Sequence, residues 1–284
     1  MIIDLSLPIA NKPSEPDSAK ITYISHTCGA KRLINGAFNV IAKKNLLKGL
    51  LFKLMTILRS CGVDRIFNLR LPALTYKDFP NEMGLANEDI TLDTHTGTHM
   101  DAPWHFGPLL VGQKPKTIDK IPLEWCYSDG VLLDMRHKKP EELISEADIT
   151  NALFKIGYKL KPYDIVLIMT GADRHFNDGS YFSAHPGMSA EATIYLIRQG
   201  IKIIGIDAWG FDKPAMKMLS DYLKTRDKSS IFPAHFVGRK YEYCHIEQLS
   251  NLDKIPKSHG FKVACFPVKI ENAGAGWCRA VAII

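Results

Sequence analysis

The sequence lacks several features that would assign it to a specialised class of protein. It has no run of eighteen apolar residues, so we expect no membrane-spanning helix. The first residues carry no basic segment, which argues against a signal peptide. The six cysteines form no Cys-x-x-Cys pair, so reduced, mostly buried thiols in a cytoplasmic protein are predicted. No linker rich in glycine, serine or proline divides the 284 residues, which indicates one domain.

The net charge of +6 is confined to one stretch of the chain. Residues 41–70 contain seven basic residues and one acidic residue, whereas the rest of the chain holds 29 of each kind. A nucleic-acid-binding surface over the whole protein is therefore not expected. Leucines recur at helical spacing in the same stretch, which predicts an amphipathic helix with a basic face. The predicted apolar stripe consists of Leu46, Leu50, Leu54 and Ile57.

The basic helix has two interpretations. We expect it to dock its leucines on the protein core and to expose its charged side to water. In the alternative, it covers the active site as a lid, or it contacts an anionic lipid surface or an acidic substrate that bears an acyl chain. The sequence is compatible with both.

From about residue 87 the chain alternates between strand and helix patterns. Strands are predicted over 90–93, 130–134, 164–169, 201–207, 262–266 and 279–284. The run at 164–169 is continuously apolar, as expected for a central strand that is covered on both faces. Ser145 and Ser189 each precede a helical pattern as N-cap residues, and Gly200 ends the second of these helices. This order predicts a βαβ unit in an α/β fold.

One short segment, His-Thr-Gly-Thr-His-Met-Asp-Ala-Pro-Trp-His beginning at His95, contains three histidines and one carboxylate. Imidazole and carboxylate groups are the usual ligands of zinc, manganese and non-haem iron. In a strand, His99 and Asp101 share one face and can reach the same ion. His95 and His99 would be about 13 Å apart along a straight strand. We therefore expect a sharp bend at Thr96 and Gly97.

The pattern His-x-Gly-Thr-His-x-Asp-Ala-Pro-x-His in this segment resembles the signature of the metal-dependent cyclase family. That family includes bacterial kynurenine formamidases, isatin hydrolases and relatives named as polyketide cyclases. Further matches occur in family order at 4–6, 170–171, 185–189 and 205–207. The resemblance implies a swivelling β/β/α fold, in which helices flank a mixed β sheet or barrel-like core. It covers most of the chain, so we predict one domain over 1–284 with a basic helical insertion at about 27–80.

The resemblance also implies metal ligands beyond the first motif. The implied ligands are His95, His99, Asp101, His235 and Glu247. Asp101 and Glu247 are placed to bridge two ions if two are bound. His245 is an alternative ligand because it shares a strand face with Glu247 by two-residue alternation, but we expect it to support the site or to be exposed. One or two zinc ions are predicted, and manganese is compatible with the same nitrogen and oxygen donors.

His105 follows Pro103 and leaves the line of the strand, and by the same resemblance it is the general acid or base. A bound metal lowers the pKa of a water molecule and supplies hydroxide, which attacks a carbonyl group. A nitrogen leaving group then needs a proton, which an imidazole can deliver near neutral pH. The predicted function is metal-dependent hydrolysis of the C–N bond of an amide or cyclic amide, as in an arylformamidase. Polyketide-type ring closure and lactone hydrolysis are alternative reactions, and a non-catalytic, metal-stabilised binding protein is a second alternative.

Three aromatic residues are candidates for the wall of a substrate pocket. They are Trp104, Phe106 and Trp209. Gly210 stands where the family often has a serine, so any substrate contact of that hydroxyl is absent from this chain. The expected partners are a small amide, lactam or lactone and a second copy of the chain in a homodimer. A weak membrane-surface contact through residues 41–70 is a further hypothesis.

Overall fold

The computed structural model describes residues 1–11, 18–68 and 70–284. Internal contacts divide the chain into two compact units. The sheet unit comprises Met1–Ala19 and Leu92–Ile284, and the helical unit comprises Lys20–Thr91. The helical unit encloses the predicted insertion at about 27–80. The prediction of a single domain with an insertion stays a prediction.

The described residues form thirteen strands and seven helices. The strands are β1 Ile2–Asp4, β2 Lys20–Ile24, β3 Asn87–Thr91, β4 His99–Asp101, β5 Tyr127–Asp134, β6 Leu143–Ile144, β7 Ile165–Met169, β8 Gly187–Met188, β9 Ile203–Ile206, β10 Cys244–Glu247, β11 Phe261–Ala264, β12 Ala275–Trp277 and β13 Val281–Ile283. The helices are α1 His26–Lys44, α2 Leu46–Ser60, α3 Val63–Ile66, α4 Pro103–Phe106, α5 Glu146–Ile156, α6 Ala190–Arg198 and α7 Ala215–Thr225.

Nine of these strands form one mixed sheet in the order β1-β13-β11-β5-β7-β9-β10-β4-β12. The central strands β5, β7, β9 and β10 are parallel to one another. The strands on either flank pair antiparallel. Helix α6 lies between β7 and β9 in the chain, which gives the predicted βαβ unit. The prediction of an α/β fold with a mixed sheet flanked by helices is confirmed.

Strand β7 shows why the centre of the sheet is buried. Its five residues, Ile-Val-Leu-Ile-Met, are all apolar and all buried. Val166 and Ile168 belong to the hydrophobic cluster that includes buried residues of α5 and α6. Ile165 and Leu167 belong to a second cluster, which includes residues of β11 and β13. Because successive side chains of a strand point to opposite faces, the continuous apolar run fills both layers of the core.

Two predicted caps begin the helices that cover the sheet. The Ser145 side chain accepts a hydrogen bond from the backbone N–H of Asp148, whose carboxylate bonds back to Ser145 in a capping box. The Ser189 side chain accepts a hydrogen bond from the backbone N–H of Ala192 at the start of α6. Gly200 follows this helix with a φ of +89°, a conformation that favours glycine. Both predicted helix starts are confirmed.

The helical unit combines a two-stranded sheet with α1, α2 and α3. The strand predicted over 90–93 is the end of β3, which pairs with β2 rather than with the large sheet. Asn45 caps α2 by accepting a hydrogen bond from the backbone N–H of Lys48. Helices α1 and α2 approach closely at Gly49, where an added Cβ would lie 2.6 Å from the Cβ of Ala42. A glycine at this position therefore sets the packing distance of the two helices.

Helix α2 carries the predicted leucine stripe, but the stripe faces solvent. The exposed apolar residues of α2, each between 51 and 76 % exposed, are Leu46, Leu47, Leu50, Leu51, Leu54 and Ile57. The expectation that this stripe docks on the protein core is wrong. Lys43, Lys44 and Lys48 are exposed in the same region. Within the described parts of the chain, no helix combines the length and the apolar character that crossing a bilayer requires.

Candidate metal centre

The metal-ligand motif bends where the sequence predicts it. Gly97 has a φ of +70°, in the left-handed region that favours glycine. The bend precedes β4 and returns His95 toward the strand, so that its Nε2 lies 3.3 Å from Oδ1 of Asp101. Asp93 holds the imidazole in place, since its Oδ1 is 2.9 Å from the backbone N and 2.8 Å from Nδ1 of His95. The bend thus removes the separation that a straight strand would impose.

Strand pairing supplies the second half of the site. Strands β4 and β10 are antiparallel, with Asp101 opposite His245 and His99 opposite Glu247. Residues directly opposite each other have side chains on the same face of a sheet. All four side chains are buried. Two short segments, distant in sequence, therefore present two imidazoles and two carboxylates to one point.

His235 reaches the same point from a 3₁₀ turn, His235–Arg239. Its Nδ1 lies 2.6 Å from Oδ2 of Asp212, and the other oxygen of this carboxylate accepts a hydrogen bond from the backbone N–H of Ala234. His99 is oriented in a similar way, with Nδ1 2.8 Å from the carbonyl oxygen of Gly97. In both residues Nδ1 is engaged and Nε2 faces the cluster. This is the usual arrangement of a metal-binding histidine and its supporting partner.

Asp101 turns its two oxygens toward different histidines. Oδ1 lies 3.3 Å from Nε2 of His95 and 3.5 Å from Nε2 of His99. Oδ2 lies 2.9 Å from Nε2 of His245 and 3.8 Å from Nε2 of His235. The carboxylate therefore separates two groups of nitrogen donors.

Glu247 divides its contacts in the same way. Oε2 lies 3.5 Å from Nε2 of His99, on the side of the first group. Oε1 lies 3.4 Å from Nε2 of His245 and 3.5 Å from Nε2 of His235, on the side of the second group. Each of the two carboxylates thus faces both groups of nitrogen donors.

The donor set fits a divalent cation. Nε2 of His99 and Oδ1 of Asp101 are buried, and neither has a hydrogen-bond partner among the residues that the structure describes. Buried polar atoms are seldom left unsatisfied in native proteins, and a cation would satisfy both. One ligand atom each from Asp101, His235, His245 and Glu247 lies within 4.8 Å of the others. Nitrogen and oxygen donors without thiolate suit zinc or manganese.

The electrostatics of the cluster indicate a need for positive charge. Burial raises the pKa of Asp101, but the surrounding histidines, with His105 and His99 foremost, lower it well below its ordinary value. Burial likewise disfavours the charged form of His245, yet hydrogen bonds to Asp101 and Glu247 raise its pKa to about 9. Two buried carboxylates are costly without compensating charge. Protonated imidazole or a metal ion supplies that charge.

His105 lies on α4 at the rim of the cluster, and its side chain is one third exposed. Its Nδ1 is 3.1 Å from Nε2 of His95, and its Nε2 is 3.7 Å from Oδ2 of Asp101. Burial lowers its pKa to about 4, although Asp101 opposes this shift. The imidazole is therefore neutral at pH 7 and open to solvent on one side. His95, Asp101 and His105 also form a group with ligand spacing, so its role as acid or base stays a prediction.

His245, which the sequence offers as a supporting residue or an alternative ligand, is fully buried. Burial excludes the exposed alternative, and its role as support or ligand stays a prediction. Its ring stacks on Phe211 with centroids 4.2 Å apart, and its Nδ1 lies 3.3 Å from the hydroxyl of Tyr243. The alternation with Glu247 gave the right face of the strand. The register with Asp101, which brings Nε2 into the cluster, is a property of the sheet.

The three aromatic candidates occupy different environments. Phe106 is fully buried and stacks on Tyr243, with centroids 5.1 Å apart, so it supports the cluster from the core. Trp104 is half-buried beside Lys114, whose Nζ lies 5.5 Å from the ring centroid. Trp209 lines a cleft of about 100 Å³ that also reaches two residues of the metal centre. Its role in substrate binding stays a prediction, as do those of the other two.

The fold and the site together define an α/β protein with a cluster of histidines and carboxylates suited to divalent metal. Residues 3–213 match the sequence profile of the Cyclase family, described as "Putative cyclase". The match spans well over half of the chain, and the chain belongs to this family. The resemblance of the first motif is confirmed.

Similar proteins carry related names. The chain is 27% identical over 192 residues to a kynurenine formamidase of Erythrobacter litoralis, which covers 68% of this chain and 74% of that protein. It is 25% identical over 207 residues to an isatin hydrolase of Roseibium aggregatum, which covers 69% of this chain and 73% of that protein. The solved structure of isatin hydrolase A from Ralstonia solanacearum has a TM-score of 0.66 at 19% identity, covering 100% of this chain and 92% of that chain. This last likeness shows the fold.

We predict that substitution of the shared carboxylate reduces metal binding more than substitution of a residue that only supports a ligand. Asp101→Asn should remove most of the bound metal, because this carboxylate contacts both groups of donors. Asp212→Asn should weaken metal affinity about 10–100-fold, since Asp212 only orients His235. Metal content by elemental analysis, together with a chelator titration, measures both effects.

A histidine outside the cluster provides the control. His137→Ala removes an exposed imidazole and should leave the metal content unchanged. Thermal unfolding in the presence of metal verifies that each variant is folded. Full metal occupancy in folded Asp101→Asn would show that the ions bind elsewhere.

Proposed function

We propose that this protein is a metal-dependent hydrolase that cleaves the C–N bond of an amide or cyclic amide. The observation that carries the proposal is the convergence of His95, His99 and His235 on Asp101 and Glu247. Relatives named kynurenine formamidase and isatin hydrolase support an amide or lactam as the substrate. Zinc is the metal that we propose, in a site for two ions, with manganese as the alternative.

The protein's own residues have separable tasks in this reaction. The cluster of His95, His99, Asp101, His235 and Glu247 would hold a divalent ion, which would supply an activated water molecule and a positive charge to polarise a carbonyl group. Asp101 and Glu247 provide the negative charge that retains cations in a buried site. His105 is neutral at pH 7 because burial lowers its pKa to about 4, so it can accept the proton that the attacking water loses and pass it to the nitrogen of the leaving amine. Its exposed edge keeps it within reach of a substrate.

Two other reactions and one non-catalytic role compete with this proposal. Ring closure of polyketide type and lactone hydrolysis use the same polarised carbonyl. A binding protein that keeps the metal as a structural element is the non-catalytic alternative. The exposed, neutral His105 beside the buried ligands favours catalysis, because a purely structural site would have no need of a proton carrier at its rim.

The substrate class is tested on protein that is fully loaded with zinc or manganese. We expect turnover of aryl formamides or aryl lactams, and slower or no turnover of the matched lactones, because an imidazole proton donor assists a nitrogen leaving group most. Chromatographic detection of the released amine or ring-opened acid measures it. Absence of turnover with every amide and lactam would remove the hydrolase proposal, and turnover of lactones alone would favour the lactone alternative.

The role of His105 is tested by a single substitution. His105→Ala should retain metal and lose about 10²–10⁴-fold in kcat, the usual contribution of a general acid or base. Metal analysis and kinetics are measured on the same sample. An empty site in folded His105→Ala would show that His105 is a ligand and would overturn its catalytic assignment.

The cellular setting and assembly are part of the proposal. We propose a cytoplasmic protein, which the six free cysteines support because thiols stay reduced there. A homodimer follows from the family resemblance.

The exposed face of α2 supports a weak contact with anionic membrane surfaces. Its leucines lie beside Lys43, Lys44 and Lys48, and all three lysines are exposed. Apolar residues beside a cationic edge are the pattern of a helix that lies in the membrane interface. Anionic lipid is the occupant that we propose, because it matches both the apolar stripe and the local positive charge.

Vesicle binding tests this contact. Replacing Lys43, Lys44 and Lys48 together by glutamine should weaken binding to phosphatidylserine-containing vesicles at least tenfold at low salt, since each such charge contributes about 1 kcal/mol. Replacing the exposed Lys254, Lys257 and Lys269 instead makes the same change in net charge and should have little effect. Equal binding by the two folded variants would show that these lysines do not hold the protein on the vesicle. Dissociation of the dimer when the leucines of α2 are replaced would assign this face to a subunit interface.

A further inference from the structure

A cleft in the sheet unit opens beside the metal centre and has an unexplained polar group in its wall. The cleft has a volume of about 100 Å³, and Glu247 and His235 are among the residues that line it. Trp209, Phe211 and Phe232 contribute aromatic surface. A planar apolar group of modest size matches these walls. A substrate that extends from the metal centre into this cleft would place such a group here.

His185 lies in the wall of the cleft and is 1 % exposed. Its Nδ1 is 3.0 Å from the carbonyl oxygen of Pro186, so Nδ1 carries the hydrogen and donates. In the neutral imidazole, Nε2 is then an acceptor with a free lone pair. Burial lowers the pKa of His185, which keeps the ring in this neutral form. Nε2 has no hydrogen-bond partner in the described parts of the chain.

The position of His185 is fixed by the backbone around it. Its carbonyl oxygen accepts a hydrogen bond of 2.9 Å from the backbone N–H of Glu141. Strand β8, which begins two residues later, pairs with β6. The imidazole is therefore held by ordered structure, as a group that recognises a ligand has to be.

The other ionisable groups in the wall of the cleft are already engaged. Asp212 accepts hydrogen bonds from the backbone N–H of Ala234 and lies against His235. Lys213 donates to Asp221 at 2.5 Å. Glu247 accepts a hydrogen bond of 2.7 Å from the backbone N–H of Phe211 in addition to its contacts in the metal centre. Among these ionisable groups of the cleft wall, Nε2 of His185 is thus the hydrogen-bond acceptor that remains for a ligand.

Gly210 leaves room beside this imidazole. An atom at the position of a Cβ on residue 210 would lie 3.8 Å from Cε1 of His185 and 3.9 Å from the carbonyl oxygen of Asp212, both ordinary contact distances. The space next to the ring can therefore receive one further atom. A side chain at this position would occupy it.

We infer that His185 is a specificity residue, which accepts a hydrogen bond at Nε2 from an N–H or O–H group on the aromatic part of the substrate. The inference rests on the proposed function, since the aromatic amide is the substrate class named there. An aryl amide whose ring bears an amino or hydroxyl group satisfies the buried acceptor, whereas a methyl group of similar size leaves it unpaired. An unpaired buried polar group is costly, and this cost discriminates between the two substrates.

The test compares kcat/KM for aryl amides that carry an amino group or a methyl group at each ring position. For one position, the metal-loaded wild type should prefer the amino substrate roughly tenfold, which is the size expected for one hydrogen bond. His185→Leu should lose this preference through a higher KM for the amino substrate, with metal content unchanged. His185→Gln, which keeps an acceptor, should restore part of the preference.

The glycine gives an independent variant in which His185 is intact. Gly210→Ala should fill the space beside the ring and abolish the preference, whereas Met218→Leu, a nearly volume-conserving change elsewhere in the cleft wall, should preserve it. Nitrogen-15 NMR of histidine-labelled wild type gives a measurement that needs no substitution at position 185. Binding of an amino-bearing product should shift the Nε2 resonance of His185, and the methyl-bearing product should not.

The outcomes separate this inference from the proposed function. Turnover of amides with an amino-to-methyl ratio that is the same in wild type and folded His185→Leu would overturn the inference and leave the hydrolase intact. Loss of metal from His185→Leu would also overturn it, because His185 would then support the metal centre. Absence of turnover in the wild type would count against the proposed function. In that case, an Nε2 resonance of His185 that does not shift on binding of the amino-bearing product would still overturn the inference.

Discussion

The burial of two carboxylates at one point is the constraint on which the rest of the site depends. Asp101 and Glu247 lie on adjacent strands, and both are buried. Such a pair is stable only if positive charge lies between or beside the carboxylates. Five imidazoles turn their Nε2 atoms toward these oxygens, and the supporting residues Asp93, Gly97 and Asp212 hold three of the rings. The cluster is therefore arranged to hold cations.

The sheet makes this arrangement possible because it fixes the register of β4 and β10. Pairing of Asp101 with His245 and of His99 with Glu247 places four groups on one face. A shift by one residue would turn the two site residues of one strand to the opposite face. The buried, apolar β7 and β9 keep β10 in place, so the hydrophobic core and the site are stabilised by the same strands.

Much of this was predictable from the chain because it depends on local patterns. The apolar run of β7, the caps at Ser145 and Ser189 and the bend at Gly97 each follow from residue types at short spacing. The choice between a ligand and a supporting role for His245 could not be made from the sequence, since it depends on which residue of β4 lies opposite. The exposure of the leucines of α2 was also beyond the sequence, because helical periodicity identifies an apolar stripe but not what covers it.

Most residues of the metal centre lie on paired strands, whereas several residues of the cleft wall lie on the segments that connect them. His99, Asp101 and Glu247 lie on paired strands, where backbone hydrogen bonds limit movement. Trp209, Gly210 and Phe232 lie on connections between elements, where a substitution changes the cleft without disturbing the sheet. Glu247 and His235 are part of the metal centre and also line the cleft. Under the proposed function, a substrate bound in the cleft would be positioned by the same residues that would hold the ions, which would couple recognition of the aromatic group to attack on the amide.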